Sequence, residues 1–99
     1  MEIEKTQTES IGVLTLKGRL DTTTAPQLHE ALTEIMSSAE KVELDFAGIE
    51  YVSSAGLRVL LLGQKSSKAS GKSLALRNVS SDVLEVFDIT GFSGVLTVI

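Results

Sequence analysis

The spacing of apolar residues along this chain switches repeatedly between two periods, and that alternation constrains its fold more than any other feature. In "KVELDF" Val42, Leu44 and Phe46 alternate with charged residues, the period of a strand with one buried face. In "DTTTAPQLHEALTEIM" Leu28, Ala31, Leu32 and Ile35 instead follow i, i+3, i+4, i+7 spacing, giving a helix one apolar stripe with Gln27, Glu30 and Glu34 off it. Threonine precedes this helix, and Pro26 is tolerated in its first turn because the missing N–H has no intrahelical role there.

The remaining segments extend the pattern. "EIEKTQT" and "IGVLTLKGRL" read as two strands joined around Glu9 and Ser10 in an antiparallel hairpin. After "KVELDF", "AGIEYVSS" reads as a loop and Ala55 to about Ser70 as a second helix, ended by Gly71. Leu57, Leu60 and Leu61 form one apolar face of that helix; Ala55, Val59, Leu62 and Gly63 form a second. Such a helix is either sandwiched in the core or offers one side to another chain. "SLALR" reads as a third core strand. "SSDVLEVFDIT" reads as a third helix with a Val83, Val86, Phe87 stripe, capped by Ser80 or Ser81 and stopped at Gly91. "VLTVI" closes the chain as a strand. The order β-β-α-β-α-β-α-β predicts an α/β fold: a mixed sheet with an N-terminal hairpin, parallel thereafter, and helices packed on it.

Bulk properties exclude several function classes. At 99 residues the chain is expected to form one domain, and 42% hydrophobic residues suffice for a packed core. A net charge of −4 disfavours nucleic acid and anionic membrane surfaces as partners. The absence of cysteine removes disulfides and thiolate metal sites. No apolar run approaches the ~20 residues of a membrane span, and the polar start "MEIEKTQTES" lacks a signal-peptide core, so a cytoplasmic location is expected. The only histidine, His29, has no Cys, Asp or Glu at metal-ligand spacing and reads as a surface residue. There is no G-x-S-x-G elbow, and Gly12, Gly18 and Gly48 fit neither a dinucleotide nor a P-loop pattern. These observations predict neither an enzyme nor a bound metal or cofactor.

Two segments carry the functional signal. In "SSAGL", at a loop-to-helix junction, one of Ser53 and Ser54 is expected to cap the helix by accepting a hydrogen bond from its first turn. The same place suits phosphorylation, because free N–H groups and the positive helix end stabilise an anion, and Gly56 leaves the backbone open to close approach. In "GRLDTTTAP" Asp21 or a threonine serves as the cap of the first helix. If both segments follow neighbouring parallel strands, Asp21 and Ser54 share the carboxyl end of the sheet, where α/β domains bind ligands.

The whole chain, residues 1 to 99, resembles the STAS domain family of bacterial anti-sigma factor antagonists and sulfate-transporter domains. "GRLDTTTAPQLHEAL" resembles the family's first loop and helix. "VELDFAGIEYVSSAGLRVLL" resembles its signature, and "ITGF" with a terminal strand its ending. The resemblance implies that Ser54, two positions before Gly56, is the phosphoacceptor, with Ser53 the alternative. Asp21, Thr22 and Thr23 would lie beside it and, with Ser53, Ser54, Gly56 and Leu57, form the partner-binding surface. Antagonists often carry Asp just before the phosphorylated serine; Ser53 stands there in this chain.

The function implied is that of an anti-sigma factor antagonist: a monomer or weak dimer that binds an anti-sigma factor, itself a serine kinase, and so frees a sigma factor. Phosphorylation of Ser54 would break the complex and a serine phosphatase would restore it, with ATP the kinase's cofactor and none needed by this chain. Two other readings fit the same residues. One is a STAS docking subunit of a lipid-transport complex or stress-signalling particle; the other is a small-ligand domain using the Asp21 and Ser54 loops as its pocket.

Overall fold

The computed structural model describes residues 1–99. Strands β1 (Glu2–Thr8) and β2 (Ile11–Leu20) form the expected hairpin, with Glu9 in the left-handed region at φ 55°. Helix α1 (Ala25–Ser38) follows, then β3 (Lys41–Val52), α2 (Ser54–Ala69), β4 (Ser73–Arg77) and α3 (Ser81–Thr90). The sheet has the order β1-β2-β3-β4, antiparallel between β1 and β2 and parallel thereafter. Period-2 alternation turns Leu14, Leu16, Val42, Leu44, Leu74 and Leu76 to one side, where all are buried. Leu28, Leu32 and Ile35 of α1, Leu57 and Leu60 of α2, and Val83 and Phe87 of α3 join them in one core of 21 buried apolar residues.

Four details differ from expectation, each for a physical reason. First, β3 does not stop at Phe46 but runs on to Val52 through two bulges. Its partners on β2 jump from Thr15↔Asp45 to Lys17↔Gly48, and from Gly18↔Ile49 to Arg19↔Tyr51. Each bulge inserts one residue, so the buried side chains fall at Phe46, Ile49 and Val52, three apart instead of two. That spacing made "AGIEYVSS" look like a loop. Gly48 is required here, since a Cβ would lie 2.8 Å from the Leu16 carbonyl oxygen. Asp45 Oδ1 clamps the first bulge by accepting a 3.0 Å hydrogen bond from Ala47 N–H.

Second, the expected closing strand shrinks to a single parallel bridge, Leu76↔Val98. Its backbone bonds are Leu76 N–H to the Thr97 carbonyl and Ile99 N–H to that of Leu76, each 2.8 Å. Only Leu96 of "VLTVI" is buried, because β4 is five residues long and offers little edge. The buried Gln64 amide ties this tail down: its Oε1 accepts from Thr97 N–H at 3.1 Å and its Nε2 donates to the Leu74 carbonyl at 3.3 Å.

Third, α2 has one broad buried side, not two apolar faces. It packs against both α1 and β4 through Leu57, Val59, Leu60 and Gly63, while Leu61 is half-buried and Leu62 faces outward. Fourth, the α1 stripe buries Ala25 in addition to Leu28, Leu32 and Ile35, and leaves Ala31 half-covered. The ends of α3 follow expectation. Ser80 Oγ accepts from Val83 N–H at 3.2 Å, and Gly91 terminates the helix at φ 78°. No helix is long and apolar enough to cross a membrane.

Candidate functional site: the carboxyl ends of two parallel strands

Because β2 and β3 pair in parallel, the segments following both leave from the same end of the sheet. Leu20 is registered opposite Val52, and Ser53 N–H donates to the Leu20 carbonyl at 2.9 Å. The Asp21 loop and the start of α2 are therefore neighbours, as the strand-to-helix reading required.

The Asp21 loop is closed by its own side chains. Asp21 Oδ1 accepts from the N–H groups of Thr23 at 3.0 Å and Thr24 at 3.1 Å. Thr24 Oγ1 accepts from Asp21 N–H at 2.9 Å and donates to the Arg19 carbonyl at 2.7 Å. The backbone then enters α1 with Ala25 N–H on the Asp21 carbonyl at 2.8 Å. Asp21 thus caps the approach to α1, although Thr24 is the residue at the N-cap position. Hydrogen bonds from the Thr24 and Thr23 amides, with Arg19 nearby, hold the Asp21 carboxyl below the usual carboxylate range against partial desolvation. Thr22 and Thr23 are exposed.

At the head of α2 the two serines have separate positions. Ser53 is the N-cap, extended at φ −91° and ψ 175°, its Oγ accepting from Gly56 N–H at a long 3.4 Å. Ser54 is the first helical residue; its side chain is exposed and has no hydrogen-bond partner in the chain. The capping task falls to Ser53, which leaves the Ser54 hydroxyl free at the positive end of a helix.

Gly56 and Leu57 do not belong to the surface where the resemblance put them. A Cβ on Gly56 would lie 2.6 Å from Leu20 Cγ and 3.0 Å from the Leu20 carbonyl oxygen. Leu57 is 3% exposed. The first turn of α2 is pressed onto the end of β2, so these residues form the floor of the site. Gly56 does permit close approach, but Leu20 is what approaches it.

Arg19 and Tyr51 join the site without having been singled out. The Arg19 guanidinium carbon lies 4.5 Å from the Tyr51 ring centroid, and its Nε lies 3.8 Å from Asp21 Oδ2. Only the bulged register that sets Arg19 opposite Tyr51 brings them together. Arg58 is also exposed, one turn beyond Ser54 on α2. His29 is exposed on α1, as a surface residue would be.

Comparison with known proteins places the fold and the family. Residues 3–98 match the family described as Mlab, STAS domain. The anti-sigma-B factor antagonist of Listeria monocytogenes is 31% identical over 100 residues, covering 99% of this chain and 86% of that protein. The corresponding antagonist of Bacillus subtilis is 28% identical over 98 residues, covering 99% of this chain and 90% of its own. The anti-sigma factor antagonist SpoIIAA in its unphosphorylated form superposes with a TM-score of 0.82 at 19% identity, over 99% of this chain and 88% of the other. Its phosphorylated form gives 0.76 at 18% identity, over 99% and 91%. Matched over nearly all its length in both sequence and fold, the chain belongs to the STAS domain family.

Proposed function

We propose that this chain is an anti-sigma factor antagonist, a protein-binding switch controlled by phosphorylation of Ser54. Unmodified, it binds an anti-sigma factor that is also a serine kinase and so frees a sigma factor for transcription. Phosphorylation from ATP breaks the complex, and a serine phosphatase restores it. The exposed part of the contact surface comprises Thr22, Thr23 and Ser54, with the half-buried Asp21 and Ser53 at its edge.

The observation that carries this reading is the division of labour between the serines. Since Ser53 caps α2, the Ser54 hydroxyl is exposed and idle, and modifying it removes no hydrogen bond from the fold. A phosphate there adds about −1.5 to −2 charges at the positive end of a helix, which favours the folded state. The same charge on a docking surface opposes association with a partner fitted to a neutral hydroxyl. The relatives named anti-sigma-B factor antagonists support the partner class.

The test is incubation with each anti-sigma factor kinase of the same genome and ATP, followed by site-resolved mass spectrometry. One phosphate on Ser54 is expected. Modification confined to Ser53 or Thr22, or no modification by any such kinase, would refute the assignment.

A further inference from the structure

The cations of this chain fall into three groups. Lys5, Arg19 and Arg77 each lie within 4.0 Å of a carboxylate, and Lys17 is registered opposite Glu2 across the hairpin. Helix α2 is different. It carries Arg58, Lys65 and Lys68 and no acidic residue, in a chain whose net charge is −4. None of the three takes part in an ion pair. The remaining cations, Lys41 and Lys72, line a cleft with Lys68 at the C-terminal end of the same helix.

Helix electrostatics accounts for Lys68, a last-turn cation facing the negative end of the dipole. It does not account for Arg58, which stands in the second turn close to the positive end. At ~100° per residue, Ser54, Arg58, Leu62 and Lys65 fall within about 80° of one another, on an outward stripe ~17 Å long. All four are exposed, and Leu62 keeps 48% of its surface in solvent. Beside Leu62 an open cleft of about 350 Å³ runs between α1 and α2. Leu32, Met36 and Val59 line it, with His29 and Lys72 as its only ionisable groups.

We propose that the outward face of α2 docks an acidic segment of the partner protein. Its carboxylates pair with Arg58 and Lys65, and an apolar residue sits on Leu62 at the mouth of the cleft. The proposal rests on the switch reading above and names the chemistry of the partner's contact. It also gives the switch a local mechanism. A phosphate on Ser54 lies one helical turn from Arg58, within reach of an i, i+4 pair, and takes the guanidinium that the partner's carboxylate needs. Nucleic acid and anionic membranes fit less well, because the acidic remainder of the chain repels a polyanion while a short acidic segment meets only the stripe.

The test is an NMR titration of the isotope-labelled full chain at low salt. Two helical peptides of equal length are compared, one of glutamate and leucine, the other of lysine and leucine. The acidic peptide is expected to shift α2 amides saturably and the basic one to leave them unmoved. Arg58→Glu/Lys65→Glu should weaken binding roughly tenfold or more, equivalent to ~1.4 kcal/mol. Salt near 1 M, with a Debye length of ~3 Å, should abolish it. Both substitutions are on the surface, and the unbound variant's spectrum verifies its fold.

The proposal is overturned if the acidic peptide leaves α2 unshifted, if the shifts map to another face, or if the double variant binds like the parent. Tighter binding to phosphatidylserine vesicles or duplex DNA than to the acidic peptide would also overturn it. No kinase enters this assay. A chain that the kinase phosphorylates on Ser54 but whose unmodified form ignores the peptide therefore sinks this inference alone, and a chain that binds the peptide but is no kinase substrate sinks only the switch.

Discussion

Replacing Ser53 and Ser54 one at a time by alanine separates the cap from the idle hydroxyl. Ser53 Oγ accepts from Gly56 N–H, and Ser53→Ala leaves that part-buried donor without a partner in the first turn of α2. Loss of an N-cap typically costs ~0.5–2 kcal/mol, and the 3.4 Å length of this bond points to the lower half, about 0.5–1 kcal/mol. Ser54→Ala removes no hydrogen bond and no buried surface, so its effect should stay within about 0.5 kcal/mol, with alanine's higher helix propensity acting in its favour. For a chain of this size 1 kcal/mol corresponds to ~4–8 °C in Tm, so the two variants are separable by thermal and denaturant melts at neutral pH. The expected order is Ser54→Ala at least as stable as the parent, with Ser53→Ala below both. If Ser54→Ala loses as much stability as Ser53→Ala, Ser54 shares the capping and the central structural argument fails.

Other outcomes follow from the same contacts. Gly56→Ala should destabilise by roughly 1–3 kcal/mol in denaturant melts, because its Cβ must displace the fully buried Leu20 side chain or the backbone beside it. Leu57→Ala should cost ~2–5 kcal/mol by the same measurement, as expected of a floor residue and not of a surface contact. Asp45 is held below the usual carboxylate range, first by Ala47 N–H and then by Asn78 and Arg77, against partial desolvation. Its folded pKa lies below the unfolded value of ~3.9, so its contribution to stability is full above that value and is lost as pH falls through the folded pKa. Acid titration of Asp45→Asn should accordingly show a shallower loss of stability below pH ~4 than the parent; an unchanged slope would mean that Asp45 does not hold the bulge.

Much of the fold was legible because residue periodicity and burial coincide. The hairpin strands Glu2–Thr8 and Ile11–Leu20 and the strand Ser73–Arg77 occupy the segments their patterns indicated. The Ser80 and Gly91 ends of α3 follow from side-chain chemistry within a single turn. Failures occurred where a tertiary choice overrode a local one. Two bulges shifted the phase of β3 after Phe46, so a strand resembled a loop. A short β4 left the tail one bridge, and Gln64, an ordinary polar residue in sequence, holds it from inside.

The candidate site was legible in location more than in roles. "SSAGL" marks a capped helix start but does not say which hydroxyl caps, because either serine satisfies the chemistry; the backbone angle of Ser53 decides. Gly56 and Leu57 belong to the motif through packing, which a motif alone does not separate from contact. Arg19 and Tyr51 meet only through strand register, so no local signal pairs them.

The most direct test is the affinity of the anti-sigma factor for this chain carrying one phosphate on Ser54, measured beside the unmodified protein under identical salt. The phosphoprotein should be as stable as its parent or more so, since the added charge faces the positive end of α2. Its affinity should fall by at least about tenfold, which needs only ~1.4 kcal/mol of repulsion and lost pairing. A folded phosphoprotein that binds as tightly as the unmodified chain would contradict the proposed switch.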